Sequence, residues 1–118
     1  MLHLGPVECY LVCIHVNAAG WSVYTCKGRT ASDKLAEYLY ESAIKNFHGR
    51  RIRTDMSDGD RDWEEDFYIL RKSRCPAVLT ENFFMDNHSD LEYLQSRAGK
   101  HAVVDTHVEG IVEYLEKC

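Results

Sequence analysis

Two short apolar runs in this chain each end at one ionisable side chain. The first, residues 11–17, carries His15 near its end, and the second, residues 76–82, carries Glu81 near its end. Runs of this length and composition predict buried strands, whose carboxyl ends open onto the crevice of an α/β sheet. One imidazole and one carboxylate from separate strands could serve a metal-assisted hydrolase as ligand and proton carrier. The sequence therefore predicts chemistry at these two positions.

The residues around both positions resemble motifs of the type 3 family of zinc-dependent N-acetylmuramoyl-L-alanine amidases, which cleave bacterial peptidoglycan. Residues 14–18, Ile-His-Val-Asn-Ala, are similar to a strand motif of the family whose His is a zinc ligand. Residues 67–71 and 75–87 are similar to its late motif, in which a Glu is catalytic. The resemblance thus implies that His15 binds zinc and that Glu81 is the catalytic carboxylate. Asn17 is a weaker candidate for substrate contact.

The function implied by this resemblance is hydrolysis of the amide bond between N-acetylmuramic acid and L-alanine. Zinc would be the cofactor, peptidoglycan the substrate, and Glu81 would carry a proton from zinc-activated water to the leaving amine. An alternative is a non-catalytic glycan-binding or regulatory remnant of the same fold. A third is an unrelated α/β interaction module in which the two motifs are coincidental.

The resemblance covers only the carboxyl-terminal half of the family's catalytic domain. The family's zinc site also takes a His from an early Asp-Pro-Gly-His-Gly motif and a Glu further along, whereas no Gly-His-Gly occurs here. His3 and Glu8 are the early substitutes, and neither is assigned as a ligand. We therefore expect residues 1–118 to form a single, truncated amidase-like domain. Self-association or pairing with a separate amino-terminal half would then cover its exposed parts.

Composition and charge limit the classes of partner. The net charge is −5 and the pI is about 5.6, which argues against a nucleic acid or an anionic membrane bound through bulk charge. No apolar stretch approaches the roughly 18 residues of a membrane span, and no signal peptide is recognisable. We expect no membrane insertion, and the sequence leaves the localisation unknown.

The order of predicted elements indicates an α/β fold, with a small mixed β-sheet flanked by helices. Residues 21–26 have strand composition, and Thr30 or Ser32 can cap a helix that runs to about Phe47. Further strands are predicted at residues 67–70 and 77–80, and helices at residues 89–96 and 99–117. In the last helix, an apolar stripe is formed by Val103, Val104, His107, Val108, Ile111 and Leu115.

Two charged stretches leave alternatives open. The acidic stretch 55–66 has three possible interpretations: a solvated loop, a calcium-binding loop that it matches only weakly, or a loop that carries Trp63 at a substrate groove. In the last case Trp63 would stack on sugar or stem peptide at the rim of a groove. The arginines at 50, 51 and 53 indicate a solvated edge, or guanidinium groups that pair with stem-peptide carboxylates.

Overall fold

The computed structural model describes residues 18–118, so the strand predicted within residues 11–17, with His15 and Asn17, lies outside the described residues. The described part contains a three-stranded sheet in the order β2-β1-β3. β1 (Trp21–Thr25) lies in the middle, parallel to β2 (Trp63–Glu64) and antiparallel to β3 (Leu79–Asn82). The prediction of a small mixed sheet with flanking helices is confirmed.

The first helix, α1 (Ala31–Asn46), begins and ends close to where the sequence predicts. Thr30 is its N-cap: the hydroxyl accepts a hydrogen bond from the Ser32 N–H, and the Asp33 carboxylate accepts one from the Thr30 N–H at 2.8 Å. This reciprocal capping box satisfies amide groups that a helix start would otherwise leave unpaired. At the other end Phe47 is the C-cap.

One side of the sheet is covered by helices and holds the main apolar core. Trp21 and Val23 are fully buried there against Tyr40 and Phe47. The Trp21 ring meets the Tyr40 ring edge-to-face, with 5.4 Å between centroids. Because side chains alternate along a strand, the other side carries the intervening residues. We call the two sides the helix-packed face (Trp21, Val23, Thr25, Thr80, Asn82) and the charged face (Ser22, Tyr24, Trp63, Leu79, Glu81).

The chain ends in two helices, α3 (His88–Gln95) and α4 (Arg97–Lys117), as predicted to within two residues. α4 packs closely on α1 at Gly110, where an added Cβ would lie 2.8 Å from Leu39 Cδ2. In the described part of the chain, no helix is long and apolar enough to span a membrane.

The predicted apolar stripe of α4 is only partly turned towards the core. Val103 packs against it, and His107 is half-buried between the Thr80 hydroxyl and the Val103 carbonyl. Thr106 and Gly110 are buried because small side chains allow α4 to approach its neighbours closely. Four members of the stripe are instead 44–69% exposed: Val104, Val108, Ile111 and Leu115.

The predicted strand at residues 67–70 is wrong, because this segment forms a short helix, α2 (Tyr68–Lys72). Leu70 is its only buried residue, while Tyr68 and Ile69 are 71% and 57% exposed. The Asp66 carboxylate accepts two hydrogen bonds from Arg71. A strand would turn every second side chain inward, whereas a single turn of helix needs only one inward side chain, as observed here. Residues 63–64, by contrast, form β2 within the acidic stretch.

Candidate functional site

Glu81 lies on the charged face of the sheet, next to a tyrosine. It is directly opposite Ser22 in the β1–β3 register, two positions from the pair of Tyr24 and Leu79. Burial raises the pKa of Tyr24, and the negative charge of Glu81 raises it further. The nearby Arg53 has the opposite effect on the Tyr24 pKa, through its charge and a hydrogen bond. A carboxylate, a phenol and a guanidinium group therefore share this face.

Arg53 is held in place by its backbone and by two aromatic rings. Its N–H donates to the Trp21 carbonyl at 2.7 Å, and its carbonyl accepts a hydrogen bond from the Tyr40 hydroxyl at 2.8 Å. The guanidinium carbon lies 5.1 Å from the ring centroids of both Trp63 and Phe84. This arrangement fixes a cation beside β1 through cation–π contacts.

The turn that follows Glu81 contains a strained residue. Phe83 has a φ of +68°, a conformation that costs a non-glycine residue of the order of 1–3 kcal/mol. Its ring is buried and meets Phe47 edge-to-face at 5.0 Å between centroids, so core packing holds the strained backbone in place. Such strain is concentrated at functional sites. Here it redirects the chain immediately beyond the carboxylate that the sequence singles out.

Asp90 links this turn to the chain that follows Asn17. Its buried carboxylate accepts hydrogen bonds from the Gly20 N–H at 2.9 Å and the Phe84 N–H at 3.2 Å. The Asn87 side chain also donates to the Ala18 carbonyl at 3.3 Å. The first described residues are therefore tied to the turn beyond Glu81. Sequence reasoning did not single out Asp90, because an acidic residue early in a helix is ordinary there.

The structure brings two of the four predicted site residues onto one face. Glu81 and Trp63 both lie on the charged face, separated by β1, and the Trp63 and Tyr24 ring centroids are 6.2 Å apart. The other two, His15 and Asn17, lie outside the described residues. Arg53 and Tyr24 are additional members of this face. The arginine triplet and the strand alternation are the sequence signals that could have identified them.

The acidic stretch supports the edge of the sheet. Asp62 is buried and accepts a hydrogen bond from the Thr25 hydroxyl, and burial raises its pKa. Burial, followed by the charges of Asp62 and Asp58, raises the pKa of Asp60 to about 7. Across residues 18–118, no three His, Cys, Asp or Glu side chains are grouped so that they could hold a metal ion. This part of the chain therefore forms neither a calcium loop nor a zinc site by itself.

Comparison with known proteins gives a consistent result. The model of one family, described as N-acetylmuramoyl-L-alanine amidase (Amidase_3), matches residues 8–113. The N-acetylmuramoyl-L-alanine amidase CwlM of Bacillus licheniformis is 29% identical to this chain over 109 residues. The structure of the amidase AmiC2 of Nostoc punctiforme matches at a TM-score of 0.68 with 28% identity. The amidase from Clostridium difficile 630 matches at 0.72 with 24% identity, which supports the fold alone.

These matches cover most of this chain but less than half of CwlM and of AmiC2. The match to CwlM covers 86% of this chain but 39% of CwlM, and the match to AmiC2 covers 83% of this chain but 49% of that structure. The chain thus spans about half the length, or less, of the relatives that it matches.

Proposed function

The chain belongs to the N-acetylmuramoyl-L-alanine amidase family, and from this membership we propose that it carries the catalytic carboxylate of a peptidoglycan hydrolase. The bond cleaved is the amide between N-acetylmuramic acid and L-alanine. Peptidoglycan is the proposed substrate, and Trp63 and Asn17 are proposed to contact it.

The observation that carries this proposal is the position of Glu81. Its side chain is half-buried on the charged face and has no Lys, Arg or His within ion-pair distance among residues 18–118. A carboxylate without such a partner is available to accept a proton from a substrate or from water. It also lies two residues before Phe83, whose strained backbone begins the turn that follows β3.

Glu81 acts in this proposal as general base and then as general acid. It accepts a proton as the oxygen of a water molecule forms a bond to the amide carbon. It then gives that proton to the amide nitrogen as the carbon–nitrogen bond breaks. The products are the lactyl carboxylate of the sugar and the free amine of the L-alanine peptide.

Zinc dependence is a proposal that concerns His15. A catalytic zinc needs three protein ligands, and residues 18–118 contain no group of side chains that could supply them. The donor set of the described residues therefore does not fit the metal, and we assign no step to it. We propose that His15 contributes one ligand and that the other ligands come from outside the described residues.

The test compares Glu81→Gln with Glu116→Gln, since Glu116 is an exposed residue of α4 and the charge change is the same. Release of the L-alanine amine from peptidoglycan is measured by amine labelling. We expect turnover to fall at least about 100-fold in Glu81→Gln alone, with an unchanged melting temperature. Full turnover in that variant removes Glu81 from the mechanism, and an inactive wild type contradicts hydrolysis by this chain alone.

The zinc proposal is tested by measuring the zinc content of wild type and of His15→Ala after dialysis against trace zinc. One zinc per chain that is lost in His15→Ala supports His15 as a ligand. Equal zinc content in both proteins, or none in the wild type, contradicts it.

A further inference from the structure

The charged face carries hydrogen-bond donors that have no acceptor in the described part of the chain. The Trp63 Nε1 atom and the Ser22 hydroxyl are buried, and neither has a hydrogen-bond partner among residues 18–118. Arg53 has no carboxylate within ion-pair distance among the same residues, although the chain has 19 acidic and 14 basic residues. Buried donors are normally paired. The partly exposed guanidinium group of Arg53, beside these two donors, therefore points to a ligand with acceptor oxygens.

The guanidinium group of Arg53 is preorganised for such a ligand. Its contacts with Trp63 and Phe84 place it beside two rings, and its backbone is fixed by the hydrogen bonds to the Trp21 carbonyl and from the Tyr40 hydroxyl. Less side-chain entropy is then lost when it binds. The planar fork of an arginine matches a carboxylate with two parallel hydrogen bonds. An anionic oxygen pair is therefore the ligand chemistry that fits best.

The position of Arg53 relative to Glu81 indicates which carboxylate of the ligand Arg53 would bind. Residue 52 bridges to Trp21 on one side of β1, and Glu81 faces Ser22 on the other side. Two strand spacings, about 10 Å, therefore separate the backbones of Arg53 and Glu81, and both side chains are close enough to affect the pKa of Tyr24. One to two residues of extended peptide span about 4–7 Å, and side-chain reach covers the remainder.

We propose that Arg53 binds a carboxylate of the stem peptide, one residue beyond the alanine released at Glu81. The site then discriminates between stem peptides that have a free carboxylate at this residue and those in which it is an amide. Arg53 is a specificity-determining residue, and Trp63 supplies a stacking surface. This inference rests on the proposed function, because it takes Glu81 as the position of the scissile amide.

The experiment measures binding of two soluble N-acetylmuramoyl dipeptides to the full chain by isothermal titration calorimetry. Both contain L-alanine and then a glutamyl residue whose side-chain carboxyl is blocked as a methylamide; its α-carboxylate is free in one compound and converted to the amide in the other. We expect the free acid to bind wild type about 10-fold more tightly, since a charge-assisted hydrogen bond is lost with the amide. We expect Arg53→Gln to bind both equally and Arg53→Lys to retain part of the preference.

Arg50→Gln is the matched control, because Arg50 also lies over an aromatic ring, Tyr93 at 4.1 Å, but donates to Ser89. It removes the same charge and should keep the full preference. Equal binding of the two compounds to wild type, no binding of the free acid, or an unchanged preference in Arg53→Gln would each overturn the inference. Preferential binding of the acid without hydrolysis contradicts the proposed function alone, since that depends on Glu81.

Discussion

The helix-packed face and the charged face are built by the same three strands, yet their side chains do different work. On the first, Trp21 and Val23 are fully buried under α1 and make aromatic and aliphatic contacts. On the second, Tyr24, Trp63 and Glu81 are half-buried beside Arg53, and donors remain without acceptors among residues 18–118. Stability therefore resides mainly on one face. The other is the face to which we assign the proposed binding and proton transfer.

The Tyr40 hydroxyl links the two faces by hydrogen bonds. Tyr40 belongs to the core under the helix-packed face, but its hydroxyl accepts from the Val23 N–H and donates to the Arg53 carbonyl. Burial raises the pKa of Tyr40 to about 12, so the donor proton is retained at physiological pH. The position of a proposed binding residue is thus set from the core beneath it.

The largest expected effect is a difference in stability between variants of two tryptophans, one from each face. Trp21→Ala should lower the free energy of unfolding by about 3–5 kcal/mol, because it leaves a cavity among fully buried rings. Trp63→Ala should cost about 1 kcal/mol, since that ring is half-buried and mainly contacts Tyr24 and Arg53. Urea unfolding monitored by circular dichroism measures both. Equal losses would contradict the assignment of the core to the helix-packed face.

A smaller effect is expected when the connection between the faces is cut. Tyr40→Phe keeps the ring but leaves the Val23 N–H and the Arg53 carbonyl without this partner, which should cost about 1–3 kcal/mol. Tyr38→Phe is the control on the same helix, because its ring contacts Tyr114 and its hydroxyl has no hydrogen bond within the described residues. It should change the free energy of unfolding by less than about 0.5 kcal/mol. A loss for Tyr40→Phe within that range would show that the hydroxyl does not fix the backbone at Arg53.

The smallest expected effect is a pH dependence at the edge of the helix-packed face. Asp60 has a folded-state pKa raised from 3.8 to about 7 by burial and then by Asp62 and Asp58. The folded state therefore binds more protons than the unfolded state in this window, so Asp60 lowers stability as the pH rises from about 4 through about 7. Asp60→Asn should remove this loss, of the order of 1 kcal/mol after allowance for solvent screening.

The measurement for Asp60 is the difference in melting temperature between wild type and Asp60→Asn at pH 5 and at pH 8. The variant should be relatively more stable at pH 8. Asp86→Asn, a change at an exposed position, is the charge-matched control and should show no such trend. An Asp60 difference that is constant with pH would mean that the carboxyl titrates normally in the folded chain.

Much of the fold followed from local sequence signals. A cap at Thr30 or Ser32 and the four-residue spacing of apolar side chains predicted α1 almost to its ends, and the structure shows that Thr30 is the cap. β1 was equally clear from its composition. Both predictions held because each depends on neighbours within a few residues, where propensity and capping act directly. The strand predicted at residues 77–80 lies two residues later, so Glu81 is inside β3, and its catalytic role stays a prediction.

The errors have a common physical cause. Residues 67–70 are apolar enough for a strand, but Tyr68 and Ile69 point to solvent, and no strand of the described part pairs with them. In α4, Gly110 permits a close contact with Leu39 that turns part of the apolar stripe outward. Neither outcome is encoded in a local pattern. Each depends on what lies opposite, since partner strands and close contacts decide which face is buried.

The sequence by itself determined the family resemblance, the α/β class and the bounds of α1, α3 and α4 to within two residues, and it nominated Glu81 as a candidate, because motifs and periodicity are properties of adjacent residues. Only the tertiary structure decided that Arg53, Tyr24 and Trp63 share a face with Glu81, and that Asp90 ties the turn beyond it to Gly20. These residues are far apart in sequence. Strand pairing brings them together, and its register depends on the packing of the whole sheet against α1 and α4.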